Sequence, residues 1–254
     1  MNPGEVVGLI PAAGRALRLK PLPCSKELYP IGFHEAEPGV PFRPKVVCHY
    51  LLEKMRAAGI TQVCIILLRG KRDIPDYLSD GQLVGMDVIY RVTPESKSPV
   101  HTLDCAYTFV RNTPVAFGFP DILFRSRDAY SRLLERQAET GADVVLGVFP
   151  TREPHKWDMV ELDGRGQVIT IEFKPAKTLL RYGWSIAVWT PVFSEFMHEF
   201  IAKHEREGKE LIVGGVFLAA VQSQLKVGAV EFPDDACLDI GTPDDLATAI
   251  TRKW

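Results

Sequence analysis

Apolar and polar positions follow two rhythms along this chain. Short β-branched runs bounded by Gly, Pro or Asp occur at Glu5–Ile10, Gln62–Leu67, Asp87–Arg91, Val115–Phe119 and Asp143–Phe149, and each reads as a strand. Between them, apolar residues fall at helical spacing. Tyr130, Leu133, Leu134 and Ala138 share one helix face, and Phe193, Phe196, Met197, Phe200 and Ile201 share another. Strands that alternate with helices predict an α/β fold: a mostly parallel sheet with helices on both faces. After Phe149 the rhythm changes. Met159–Leu162, the turn Asp163-Gly164-Arg165-Gly166 and Val168–Phe173 read as a hairpin, and Tyr182–Trp189 as a further strand. This second half predicts a meander added to the sheet, which makes the sheet mixed. The Pro-rich stretch Glu37–Pro44 is the best loop candidate.

The chain of 254 residues is long enough for a sizeable core and is expected to form one domain over residues 1–254. Hydrophobic residues make up 46% and charged residues 24%, which argues against disorder. A formal net charge of −2 gives no global attraction to nucleic acid or anionic membrane. No basic stripe with interleaved aromatics suggests single-stranded nucleic-acid binding. The five cysteines, Cys24, Cys48, Cys64, Cys105 and Cys237, contain no C-x-x-C, so neither a disulfide framework nor a zinc site is expected. No signal-peptide pattern or membrane-length apolar run appears, and a cytoplasmic setting is the expectation. A homo-oligomer is compatible with the sequence, which does not fix the oligomeric state.

Candidate chemistry begins where the first strand ends. Pro11-Ala12-Ala13-Gly14 is followed by Arg15, Arg18, Lys20 and Ser25-Lys26-Glu27. Small residues after a strand let backbone N–H groups approach a ligand, and the cations beyond can neutralise phosphates. Ligands of open α/β sheets bind beyond the carboxyl ends of the strands. The segment fits neither G-x-x-x-x-G-K-[ST] nor G-x-G-x-x-G. On composition alone a phosphate cradle and a solvated basic turn are equally good readings. His198-Glu199 and His204 do not form H-E-x-x-H and are expected on a helix surface, and no G-x-S-x-G occurs. Trp184 and Trp189 are expected in or beside the core, with a pocket role open to Trp184.

Four blocks in order carry a family resemblance. Ile10–Gly14 with Arg18-Leu19, Pro21 and Ser25–Ile31 resembles the signature loop of sugar-phosphate nucleotidyltransferases, which include glucose-1-phosphate thymidylyltransferases and UTP–glucose-1-phosphate uridylyltransferases. Gly118-Phe119-Pro120-Asp121 resembles their metal-aspartate segment. Glu172-Phe173-Lys174-Pro175 resembles their E-K-P segment, and Leu238–Leu246 their D-x-G-T-P block. The likeness spans residues 5 to about 250. It implies a Rossmann-like three-layer α/β/α fold of the nucleotide-diphospho-sugar transferase type. Residues of about 1–120 would bind nucleotide, and those of about 121–250 would bind acceptor and metal.

The resemblance also implies the chemistry. An oxygen of a sugar 1-phosphate, or of a similar phosphorylated acceptor, attacks the α-phosphorus of an NTP and pyrophosphate leaves, a reaction that needs positioning and charge neutralisation. Arg18 and Lys26 are the expected catalytic cations. Pro11, Ala12, Ala13, Gly14, Arg15 and Thr93 are the expected nucleotide contacts, and Asp158, Glu172, Lys174 and Ser185 the acceptor contacts. Asp121 and Asp239 are the expected ligands of Mg²⁺, a cation that prefers oxygen donors. Simpler roles are also available. Gly118–Asp121 makes an ordinary turn, and Thr242 with Pro243 makes a good helix start that leaves Asp239 unexplained. Lys174 could be a solvated lysine.

An Ala-Ala-Gly turn at Ala13 favours a pyrimidine, UTP or dTTP before CTP. Thr93 stands where thymidylyltransferases have a base-reading glutamine, and Ser98-Pro99-Val100 replaces their Gly-Leu turn. In the acceptor half, Phe173 replaces the hexose-binding glutamate, with Glu172 moved one position back. Asp158 and Ser185 replace glycines. These departures predict that glucose 1-phosphate is a poor acceptor. Competing readings are a glycosyltransferase that consumes nucleotide sugars, for which the D-x-D motif is missing; a regulatory domain that binds nucleotide or sugar phosphate; and a cytidylyltransferase for a non-sugar phosphate. With no hexapeptide repeats after the last block, a fused acyltransferase is not expected.

Overall fold

The computed structural model describes residues 2–34, 43–95, 97–204 and 211–254. Most of the loop expected at Glu37–Pro44 lies outside the described residues. The chain opens with strand β1 (Val7–Ala12), followed after the signature segment by β2 (Pro30–Phe33), β3 (Pro44–Val46) and helix α1 (Val47–Ala57). Next come β4 (Gln62–Leu68), α2 (Asp73–Leu78), β5 (Asp87–Thr93), α3 (Pro99–Asp104) and α4 (Tyr107–Val110). The middle of the chain supplies β6 (Val115–Gly118), β7 (Ile122–Leu123), α5 (Ala129–Thr140) and β8 (Val144–Pro150). The hairpin is β9 (Asp158–Leu162) with β10 (Val168–Phe173), and β11 (Tyr182–Trp189) follows it. The last part is α6 (Pro191–His204), α7 (Val213–Gln222), β12 (Val227–Glu231), β13 (Leu238–Asp239) and α8 (Pro243–Thr251).

Nine strands form one sheet, with the path β10-β9-β11-β6-β1-β4-β5 and with β8 and β12 joined through β11. β1 pairs in parallel with β4 and β6, β4 with β5, and β12 with β8. β11 runs antiparallel to β6, β8 and β9, so the sheet is mixed and mostly parallel, as the change of rhythm after Phe149 implies. Alternating side chains feed two cores. From β1, Ile10 and Ala12 join α1 and α5, while Val7 and Leu9 join α3, α6 and α7 on the other face. The result is a three-layer α/β/α arrangement. Among the described residues, no helix is long and apolar enough to cross a membrane.

The first strand differs from the reading Glu5–Ile10. Asn2 caps a short helical turn over Pro3–Glu5, so β1 starts at Val7 and runs through Pro11 to Ala12. Proline is tolerated there because β6 pairs with β1 only at Val7, Gly8 and Leu9; beyond them that edge of β1 makes no ladder that would need the Pro11 N–H. Pro11 and Ala12 are therefore strand residues, not loop residues. His198 lies on the outer side of α6, where Nδ1 is 2.8 Å from the Asp104 carboxylate and the ring stacks on Tyr107. Trp189 is fully buried in the core, and Trp184 lies at the core's edge.

Candidate active site

Beyond β1 the chain turns at Gly14 and Arg15, and Ala16 adopts a left-handed conformation at φ 49°. Short helical turns then place Arg18 (Leu17–Leu19) and Lys26 (Lys26–Leu28). Tertiary bonds fix this segment. The Lys71 ammonium bonds both carboxylate oxygens of buried Glu27 at 2.9 Å and also donates to the carbonyls of Ala12 at 2.8 Å and Gly14 at 3.3 Å. Asp73 accepts from the Ser25 amide at 2.5 Å and the Ser25 hydroxyl at 2.8 Å. The loop after β4 thus clamps the signature segment from below.

Between the two loops lies a recess of about 480 Å³, lined by Gly14, Arg15, Lys20, Lys26, Arg69 and Lys71 among others. It holds several cations at the carboxyl ends of β1 and β4, which suits a polyphosphate. Gly14 and Arg15 face it as expected. Pro11, Ala12 and Ala13 do not line it, because the strand carries Pro11 and Ala12 and both alanines are buried. Thr93 is also absent from its lining. Thr93 is buried at the end of β5, where its hydroxyl donates to the Glu95 carbonyl at 2.5 Å.

A second cleft, of about 560 Å³, adjoins through Lys26, which lines both recesses. β6 ends at Gly118, where a Cβ would come within 2.5 Å of the Tyr130 hydroxyl and 2.7 Å of Leu51, so only glycine fits. The chain then presents Asp121 and pairs β7 with β13, which sets Asp239 opposite Ile122. The Ile240 amide donates to the Asp121 carbonyl at 3.0 Å, so the two aspartates are fixed side by side. The Lys26 ammonium pairs with the Asp121 carboxylate, and burial together with the neighbouring Asp121 pushes the Asp239 carboxyl up to about 6. Arg18 extends to Gly241, where an added Cβ would lie 3.0 Å from the guanidinium. Arg18, Lys26, Asp121 and Asp239 all line this cleft.

The cleft's far wall comes from the hairpin and β11. Asp158 and Lys174 line it, together with Phe119, Trp157, Phe173 and Trp184. Glu172 does not: it is exposed, and the alternation of β10 turns it away while Phe173 and Lys174 border the cleft. Ser185 does not either. It sits at an irregularity in the β11–β8 pairing, is 1% exposed, and its hydroxyl lies 3.1 Å from the Cys237 sulfur. Thr242 caps α8, accepting from the Asp245 amide at 3.3 Å. Asp245 also holds Lys156 at 3.1 Å.

Sequence reading missed Arg69 and Lys71; their signal is an L-R-G-K run directly after a strand, the same pattern that marked the loop after β1. The Asp121 and Asp239 carboxylates fit a divalent cation that prefers oxygen, because two adjacent, half-buried carboxylates concentrate negative charge at one place. Asp121 and Asp239 would hold such a cation, which would supply positive charge to offset substrate phosphates.

A nucleotidyl transferase family pattern matches residues 7–253. A glucose-1-phosphate thymidylyltransferase of Streptomyces griseus is 30% identical over 201 residues, covering 76% of this chain and 51% of the relative. The low-salt glycan biosynthesis nucleotidyltransferase Agl11 of Haloferax volcanii is 25% identical over 173 residues, with coverage of 66% and 44%. The chain spans about half the length of the curated relatives it matches. In fold it is similar to a UTP-bound UGPase from Acinetobacter baumannii, with a TM-score of 0.76, 17% identity and coverage of 96% and 92%. It is also similar to a Bacillus anthracis protein solved in complex with sucrose, with a TM-score of 0.80, 19% identity and coverage of 98% and 97%.

Proposed function

The chain belongs to the nucleotidyl transferase family, and from that premise we propose that it transfers a nucleoside monophosphate from UTP or dTTP to a sugar 1-phosphate or similar phosphorylated acceptor. The observation that carries this reading is the position of Lys26. It borders both the cationic recess and the cleft that holds Arg18, Asp121 and Asp239. An NTP whose β- and γ-phosphates lie near Arg15, Lys20 and Arg69 would present its α-phosphorus at that junction. An acceptor phosphate oxygen then forms the new P–O bond there. The bond from the α-phosphorus to the β-bridging oxygen breaks, and pyrophosphate leaves with its electron pair. Arg18 and Lys26 offset the developing charge, and fixed positive groups of this kind are the main contribution such transfers require.

Asp121 and Asp239 would hold Mg²⁺, whose supply of positive charge would release Lys26 from its pairing with Asp121. The pyrimidine assignment rests on the resemblance of the Ala12-Ala13-Gly14 turn to uridylyltransferases; the Thr93 hydroxyl is already engaged by Glu95 and offers no paired contact to a base edge. In this reading the chain acts as one domain, in the cytoplasm. The test crosses five NTPs with a panel of phosphorylated acceptors and follows pyrophosphate. Release confined to reactions that contain an acceptor, with UTP or dTTP preferred, supports the reading. Preference for ATP or GTP over every pyrimidine contradicts the base assignment.

A further inference from the structure

The cleft assigned to the acceptor lacks neutral hydroxyl, amide and imidazole side chains among the described residues. Fifteen described residues line it, and none is Ser, Thr, Asn, Gln, Tyr or His. Among its charged residues, Arg18, Lys26, Asp121 and Asp239 form the phosphate and metal cluster. Lys156 is engaged by Asp245 at 3.1 Å and Glu153 at 3.0 Å. Asp158 and Lys174 remain. Around them the wall is aromatic, formed by Phe119, Trp157, Phe173 and Trp184, with Ile212 and Val213 beside them.

Asp158 has an unusual setting. It lies opposite Phe173 in the β9–β10 ladder, and its Oδ2 rests on Gly214 at the start of α7, where any larger residue would collide with it. Its Oδ1 is buried and makes no hydrogen bond of good geometry among the described residues. Burial pushes its carboxyl pKa up, while the Lys174 charge, the Trp184 indole N–H and the Lys174 backbone draw it part of the way back. A buried carboxylate with unused acceptor capacity is costly unless something positive or hydrogen-donating meets it. The rings that line the same cleft strengthen that demand, because aromatic faces attract cations.

We propose that the acceptor carries, besides its phosphate, a positively charged nitrogen that seats against Asp158 among these aromatic rings. The proposal rests on the nucleotidyl-transfer reading of the same cleft. The phosphate meets Lys174, Arg18 and Lys26, and the nitrogen meets Asp158, so the acceptor's two charges match the two signs of the cleft. A hexose hydroxyl could donate to Asp158, but it would bring no charge to match the carboxylate and the surrounding rings. Amino-sugar 1-phosphates and phosphorylated amino alcohols share the required chemistry.

Calorimetric binding of acceptors in the absence of nucleotide tests this without needing turnover. One pair is glucosamine 1-phosphate against glucose 1-phosphate; the other is phosphoethanolamine against 2-hydroxyethyl phosphate. The cationic member of at least one pair should bind about tenfold or more tightly, the size expected of a desolvated cation–π and ion-pair contact. Which pair discriminates identifies the source. In Asp158→Asn the advantage should shrink to about twofold or less, whereas Asp158→Glu should keep part of it. Equal binding within both wild-type pairs overturns the proposal, as does a preference that survives Asp158→Asn. Rapid pyrophosphate release with neutral acceptors alone would also overturn it while leaving nucleotidyl transfer standing. Absence of release with every acceptor would instead contradict nucleotidyl transfer, and the binding comparison would still decide the question of the nitrogen.

Discussion

The amide of Ile240 donates to the carbonyl of Asp121 at 3.0 Å, tying together two segments more than a hundred residues apart in the chain. Through this bond and the β7–β13 ladder, Asp239 stands beside Asp121 as part of the fold's backbone geometry. Replacing either carboxylate by its amide keeps the shape and removes a charge. Asp121→Asn and Asp239→Asn should each raise the Mg²⁺ concentration for half-maximal rate by at least about tenfold. Their thermal melts should stay close to wild type. A normal Mg²⁺ titration in either variant removes that residue from the metal site.

Lys26 borders both recesses, so its loss should affect the chemical step more than the binding of either substrate. Lys26→Ala is expected to lower kcat by about two to four orders of magnitude. Steady-state kinetics with each substrate varied in turn will check it, and a wild-type kcat would exclude Lys26 from the transition state.

Part of this site could be read in the sequence because its residues follow strand ends within compact blocks. Arg18 and Lys26 follow the first strand, the family resemblance marks Asp121 and Asp239, and the fold brings all four to one cleft. The alternation of β10 separates Glu172 from Phe173, against the expectation that Glu172 contacts the acceptor. Residues whose roles depend on distant partners were not legible. Nothing near Ser185 in the sequence reveals that its hydroxyl meets the Cys237 sulfur. Thr93 reads as a strand-end contact, yet its bond to Glu95 turns it inward. Pro11 ended the first strand on paper because the sequence does not show where the β6 edge stops pairing. The clamp from Lys71 joins elements that no local pattern connects.

That clamp gives a stability prediction. Glu27 is 2% exposed, and its carboxylate is neutralised by Lys71. Lys71→Met would leave a buried charge unpaired and free two carbonyls of the signature segment. Urea unfolding should show a loss of about 3–5 kcal/mol. The double variant Lys71→Met, Glu27→Gln should recover part of that loss. A loss below about 1 kcal/mol in the single variant would show that the pair does not hold the loop.

Lys54 supplies a pH signature away from the site. Its ammonium donates to the Tyr50 carbonyl at 3.1 Å and lies 4.8 Å from the centre of the Phe124 ring, and burial pushes its pKa from 10.5 down to about 8. The unfolded chain therefore holds more protons than the folded one between those values, so this group makes stability rise with pH across that window. Below about 8 its cost is fully present. Lys54→Met should stabilise the protein at pH 7 by on the order of 1–3 kcal/mol, with the gain fading toward pH 10. A gain that stays constant with pH, or no gain at pH 7, would contradict the assignment.

The most direct measurement follows α-labelled UTP and dTTP with Mg²⁺ and the acceptor panel. Nucleotidyl transfer predicts that label enters a nucleotide-linked acceptor product while pyrophosphate appears in equal amount, and that neither forms without acceptor. Pyrophosphate released without acceptor, or label that remains entirely in the triphosphate with every acceptor, would contradict the account.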